Sequence, residues 1–235
     1  MFSKNLKDKV KEVRKSIVAI GYTTTVPDQI IITGSGFAVS DDGRILTCAH
    51  VYNQTPKEFI VNLKALVRIE EKIPDLEKYE WIPVKLIAKD DLKDAAVLQL
   101  ERFKDTLIKS LDLGDSDGAD VGQDVYFMGF PYAAQLINEG FGITVTLSKA
   151  VIGNIKRNGQ DLKQPRVWIL VDTINNPGNS GAPLIDLETN KVIGFMAIAF
   201  RTPSRLEKYK DLEIREPMHI GAARPINLIK ELINK

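Results

Sequence analysis

A chain of 235 residues with 32 basic and 31 acidic side chains has a net charge of +1, so it carries no field suited to nucleic acid or anionic lipid. Its length suits a single all-β unit that buries roughly three quarters of its unfolded surface. The only cysteine, Cys48, excludes an internal disulfide, and with it a small domain held together by bridges.

Met1 to Arg14 carries charge throughout and has no apolar run of signal-peptide length, and no later stretch approaches the ~20 apolar residues of a membrane helix. These features set the expectation of a cytoplasmic protein with no membrane partner. A small substrate or another protein is the expected partner, and self-association is left open.

Residues 4 to 15 space Leu6, Val10 and Val13 among lysines and glutamates, the pattern of a short amphipathic helix. From Ser16 the texture changes to short β-branched and aromatic runs: Ile17 to Tyr22, Gly36 to Val39, Ile45 to Cys48, Phe59 to Val67, Ile82 to Ala88 and Ala95 to Leu100. Asp42-Gly43 is a hairpin signal between two of them. Glu101 to Gly122 is polar enough for a linker.

A second set of strands follows at Val125 to Gly129, Gly142 to Ile155, Val167 to Val171, Ala182 to Ile185, Val192 to Phe200 and His219 to Ala223. Pro225 to Lys235 has the spacing of a closing helix with proline near its first turn. Glu70 to Glu80 and Arg201 to Pro217 are long, charged segments and are expected as surface loops. So many short strands and so few helices predict an all-β chain built from barrels.

The chemistry centres on Asn176-Pro177-Gly178-Asn179-Ser180-Gly181-Ala182-Pro183, which sets a hydroxyl on a tight turn. A serine needs a neighbouring base to become a nucleophile, and histidine, with an ordinary pKa near 6.5, suits that task. Of the two histidines, His50 follows an apolar run directly, whereas His219 lies within a late strand and is expected as a structural imidazole at the rim or in the interior. An imidazole base needs a carboxylate to hold its tautomer. Asp94 stands at the mouth of Ala95-Ala96-Val97-Leu98, where a charge without a partner is costly; Asp90 and Asp91 are alternatives that also fit as plain turn residues. The amides of Gly178 and Ser180 can point to one side and hold an oxyanion. Taken alone, Gly-Asn-Ser-Gly is equally an ordinary hairpin turn.

In the order His50, Asp94, Ser180, two of these residues fall in the first β-rich half and the serine in the second. The surrounding segments resemble trypsin-like serine peptidases of the chymotrypsin fold, and most of all their HtrA/Deg branch. Gly34-Ser35-Gly36-Phe37-Ala38-Val39 with Gly43-Arg44-Ile45-Leu46-Thr47-Cys48-Ala49-His50-Val51 is similar to the segment around the family's base. Asp94-Ala95-Ala96-Val97-Leu98 is similar to the segment at its acid. Leu113-Gly114-Asp115-Ser116, Val121-Gly122-Gln123 and Met128-Gly129-Phe130-Pro131 resemble the opening of its second barrel, and Asn175 to Leu184 its nucleophile segment.

The resemblance implies two six-stranded antiparallel β-barrels, about residues 16 to 105 and 110 to 223, with short N- and C-terminal helices, the latter at 224 to 235. It implies a serine endopeptidase acting on protein or peptide substrates, with catalytic His50, Asp94 and Ser180 in the cleft between barrels. By the same likeness, Ile174, Ala197, Ile198 and Ala199 line the primary substrate pocket, where no acid stands to receive a basic side chain. A small or medium apolar residue is therefore expected before the scissile bond.

The chain departs from the family at several points. Ala182 replaces a usual glycine, which is tolerable if its backbone angle is ordinary. Asn179, in place of an aspartate, removes activation by a cleaved amino terminus. No peptide-binding PDZ module is expected after the closing helix. Cys48 reads as a small buried hydrophobe rather than a second nucleophile. With two histidines and one cysteine, no zinc set is evident, and neither metal nor cofactor is expected. A silent or loop-gated peptide-binding module, with Tyr132 to Gly140 or Arg201 to Pro217 as the gate, and an esterase are the competing readings.

Overall fold

The structure is a computed structural model that describes residues 5–26, 29–73, 76–156, 167–209 and 212–234. Helix α1, Leu6–Val13, starts at Asn5, whose Oδ1 accepts the Asp8 amide at 3.0 Å, satisfying one of the donors every helix start leaves open. Six strands follow: β1 (Ile17–Thr23), β2 (Ile30–Ala38), β3 (Arg44–Thr47), β4 (Leu63–Ile73), β5 (Leu76–Asp90) and β6 (Ala95–Leu100). They close into an antiparallel barrel in the order β1-β2-β3-β6-β5-β4.

The second barrel closes in the order β10-β11-β12-β9-β8-β7. Its strands are β7 (Asp124–Gly129), β8 (Thr146–Lys156), β9 (Trp168–Val171), β10 (Pro183–Asp186), β11 (Val192–Tyr209) and β12 (Leu212–Pro225). Short helices α2 (Ala49–Asn53), α3 (Ala133–Asn138) and α4 (Lys230–Ile233) complete the regular elements. The all-β architecture of two six-stranded barrels agrees with the expectation.

Continuous apolar runs mark strands covered on both faces. Ile17 to Ile20 in β1 and Ala95 to Leu98 in β6 are all fully buried, because one face lines the barrel and the other is covered by neighbouring elements, α2 among them for β6. Closure removes the open edges on which exposed strands would otherwise pair with other chains.

The two barrels are stitched together at several places. The connecting segment donates backbone bonds to both, with the Leu111 amide on Ala38 O at 3.0 Å and the Gly114 amide on Val192 O at 2.8 Å. After Pro225, a single 3-10 turn, Ile226–Ile229, precedes α4. Ile226, Ile229, Leu232 and Ile233 are buried in the cluster that fills the first barrel, and Arg44 Nη1 donates to Ile233 O at 2.7 Å.

Two expected loops are hairpins instead. Glu70 pairs with Lys78 and Glu71 with Glu77 across β4 and β5, while Arg201 pairs with Pro217 and Pro203 with Arg215 across β11 and β12. Residues 201–203 and 215–217 are all exposed. At residues 201–203 and 215–217 the ladder forms without a buried face, so the apolar alternation that marks a strand is missing there. Other strand starts also move: β2 begins at Ile30 rather than Gly36, Lys57–Asn62 is a 3-10 turn before β4, and β8 begins at Thr146 rather than Gly142.

Candidate active site

His50 lies in the first turn of α2, just after β3, with Cys48 as the N-cap. Asp94 ends the turn between β5 and β6 and has a left-handed backbone, φ +53°, a conformation that aspartate tolerates better than most side chains. That angle turns its carboxylate toward α2. His50 Nδ1 stands 2.8 Å from Asp94 Oδ2 and 3.1 Å from Oδ1, and the His50 amide donates to Oδ1 at 2.9 Å. The Asp94 side chain is 18% exposed and that of His50 37%, so the acid is shielded while the imidazole reaches the solvent side.

The alternatives to Asp94 have other work. Asp90 accepts the Lys93 amide at 2.9 Å. Asp91 accepts from Asn53 Nδ2 and pairs with Lys89 Nζ, each at 2.9 Å; the Asn53 bond, followed by Lys89, holds its carboxyl below the usual range. His219 is exposed on β12, not interior, since the ladder there continues into the exposed residues 201–203 and 215–217.

Ser180 sits between β9 and β10 on a turn whose carbonyls are each claimed. The Tyr132 amide donates to Pro177 O at 2.9 Å, the Ala182 amide to Asn179 O at 2.9 Å and the Ser35 amide to Ser180 O at 2.8 Å. Ser35 Oγ donates to Gly178 O at 2.6 Å and accepts the Phe130 amide at 2.9 Å. Because a trans peptide sets its C=O and N–H in opposite directions, these four anchors fix where the amides point. Among the described residues, no protein acceptor takes the amides of Gly178 or Ser180.

Two glycines make this turn possible. Gly178 has φ +97°, and a Cβ on it would stand 2.3 Å from Phe130 O; Gly181 has φ +89°, with Ser35 O only 2.0 Å from the same point. Ala182 has no positive φ and is fully buried, so the missing glycine is accommodated. Gly34 joins the two halves of the site: a Cβ there would meet Val51, next to His50, at 2.6 Å and Ser180 O at 2.9 Å.

Ser180 Oγ donates to Ala197 O at 3.4 Å, and no hydrogen bond joins it to the His50 ring among the described residues. Of the other pocket candidates, Ile198 and Ala199 on β11 pair with Ala222 and Gly221 on β12, and Ile174 is half-buried. Gly221 lies against Thr173 O and Asn175 Cβ, within 3.3 Å and 3.0 Å of the place its own Cβ would take. Thus the segment before the serine and strand β11 flank β12. Asn175, which the sequence reading placed in the nucleophile segment without a role of its own, is 3% exposed, and neither polar atom of its side chain has a partner.

Cys48 Sγ, His50 and Asp94 offer ligand atoms within 4.8 Å of one another, the one such group among the described residues. The imidazole and carboxylate already occupy each other, and Cys48 Sγ donates to Met196 O at 3.3 Å. Burial, and then the Asp94 charge, push the thiol well above its usual range, which disfavours the thiolate a metal requires. The group is a hydrogen-bonded pair beside an inert thiol.

Residues 34–195 match the profile described as the trypsin-like peptidase domain. The chain belongs to the trypsin-like peptidase family. This peptidase-family chain is 32% identical over 208 residues to a DegP-like periplasmic serine endoprotease of Hahella chejuensis, a match covering 83% of this chain and 38% of that protein. It is 30% identical over 197 residues to serine protease HTRA4 of Mus musculus, covering 78% and 35%. The chain thus spans little more than a third of the curated relatives it matches.

The solved structure of HtrA-type protease AlgW with a decapeptide superposes with a TM-score of 0.67 at 22% identity, over 97% of this chain and 66% of that one, and shows the same fold. The cytoplasmic expectation does not stand, because several of the trypsin-like peptidase's relatives are named as periplasmic. That expectation rests on the charged stretch Met1 to Arg14 and the lack of a long apolar run, which do not report on the compartment of a chain that spans about a third of its relatives.

Proposed function

We propose that the chain, its two barrels and closing helix acting as one unit, is a serine endopeptidase that hydrolyses peptide bonds in proteins through an acyl-enzyme. Ser180 attacks the scissile carbonyl, and His50 takes the serine proton and returns it to the leaving amine. Asp94 holds the imidazole with Nδ1 protonated, so that Nε2 is the base. The amides of Gly178 and Ser180 receive the oxyanion. The reading is carried by the His50–Asp94 pair at the same seam as a serine turn whose four carbonyls are tied back and whose two amides are unclaimed.

The contact between Ser180 Oγ and Ala197 O favours a resting state in which the hydroxyl rotates toward His50 when substrate enters. Catalytic hydrogen bonds are often long or misaligned without substrate. A rotation about one bond is a smaller change than a remodelled loop.

Substrates are proteins or peptides with a small or medium apolar residue entering between Ile174 and the strand Ala197-Ile198-Ala199. The relatives' names support an extracytoplasmic site of action. Incubating the protein with unfolded casein and with a panel of esters, and mapping the cleaved bonds by mass spectrometry, tests this reading. Cleavage after alanine, valine or similar residues is expected; ester turnover with intact casein would instead assign an esterase.

Gly178→Ala gives a second test. Its Cβ would collide with Phe130 O at an angle that side chains avoid, and one oxyanion donor would be displaced. Turnover is expected to fall by about 10²- to 10³-fold, with a melting temperature lowered by the strain of roughly 1–3 kcal/mol.

A further inference from the structure

Arg224 belongs to β12 of the second barrel, yet it reaches into the first. It is 6% exposed, an uncommon place for a guanidinium unless its donors are used. The guanidinium carbon stacks 3.6 Å from the centroid of the Trp168 ring on adjacent β9, and Nη1 donates to Val167 O at 3.5 Å. Nη2 crosses the seam and donates to Leu92 O at 3.2 Å. Leu92 lies in the turn between β5 and β6 that ends at Asp94.

Among the described residues, that turn has little else to locate it from outside its own barrel. Leu92 is 54% exposed and buries no apolar anchor, while the Lys93 amide is held by Asp90 from within the turn. Asp94 occupies a left-handed angle there that surrounding contacts must maintain. Burial lowers the Arg224 pKa, and of the carboxylates opposing that effect Asp94 comes first, ahead of Asp90. The guanidinium is therefore electrostatically coupled to the acid whose turn it grips.

We infer that Arg224, clamped on Trp168, is a positioning residue that holds the Leu92–Asp94 turn from the opposite barrel and so aims the Asp94 carboxylate at His50. This rests on the peptidase reading above. Because base and acid sit on one barrel and the nucleophile on the other, one side chain rooted in the second barrel and bonded to the acid's turn keeps the three in register. Arginine suits the task because its planar fork can stack and donate in two directions at once.

Arg224→Met, which keeps length and apolar stacking but removes charge and donors, tests the inference in the full chain. It is expected to lower kcat on a peptide substrate by about 10²-fold with KM unchanged, as a misplaced catalytic group does. Proton NMR gives a readout that does not need turnover. His50 and His219 are the two imidazoles and His219 is exposed, so a low-field Nδ1 proton reports the His50–Asp94 bond, with Asp94→Asn as the control that removes it.

The Met variant is expected to shift or lose that resonance, and Arg224→Lys, which restores charge without the fork, to fall between the two. Should the Met variant not fold, the Lys variant carries both readouts. A folded variant with a lower melting temperature but unchanged kcat and unchanged resonance would overturn the inference. If the wild-type protein hydrolyses nothing, the peptidase reading fails on its own, while the resonance still decides the role of Arg224.

Discussion

Ser180→Ala is expected to abolish covalent labelling by a fluorophosphonate and to lower turnover of unfolded casein by on the order of 10⁶-fold, the scale seen when an activated serine is removed from a triad. The probe reacts only with a hydroxyl whose proton has a base to go to, so it reports activation as well as presence. Ser180 is half-buried and its Oγ makes one long bond, to Ala197 O at 3.4 Å, so removing that oxygen leaves little unsatisfied. The variant should melt within about 1 kcal/mol of the parent's stability. A loss of activity can then be assigned to chemistry rather than folding. Labelling that persists in the variant would place the nucleophile elsewhere.

Asp94→Asn should give the second-largest effect, a fall in kcat of about 10⁴-fold with nearly unchanged structure, equivalent to about 5 kcal/mol of barrier. Asparagine is the best-chosen replacement because it accepts the left-handed angle of φ +53° as readily as aspartate. Its amide oxygen can still accept the His50 amide, as Oδ1 now does at 2.9 Å. Its NH₂ group, however, would face Nδ1, now 2.8 Å from Oδ2. Nδ1 must then accept, so the ring proton moves to Nε2 and the nitrogen meant to deprotonate Ser180 is blocked. Circular dichroism should be unchanged while steady-state kinetics collapse. A variant of near-native kcat would remove Asp94 from the mechanism and reopen the choice among acids.

Much of the site was legible because its parts are local. The glycine-flanked serine, the histidine after an apolar strand and the aspartate before one are short patterns whose backbone demands can be read from neighbouring residues. The ribbon parts of β4–β5 and β11–β12 were missed for the converse reason. Ladder bonds there are made by the backbone, and the charged sequence of these stretches lacks the apolar alternation of a half-buried strand. Asn175 and Ser35 fell inside recognisable segments, but their roles could not be read: a buried polar residue looks like a surface one until its surroundings are known.

The sequence by itself determined a chain rich in short strands, its barrel-lining apolar runs, and a serine and a histidine that could act together with one of three neighbouring carboxylates, Asp94, Asp90 or Asp91. Only the tertiary structure decided how the serine turn is held, since Ser35 Oγ and Gly178 O are 143 residues apart. It likewise decided that Arg224 grips Leu92 O across 132 residues, and that Ser180 Oγ rests on Ala197 O. Propensity and periodicity act over a turn or a strand, whereas the direction of a hydrogen bond between two barrels depends on how both close and pack, to within a fraction of an ångström.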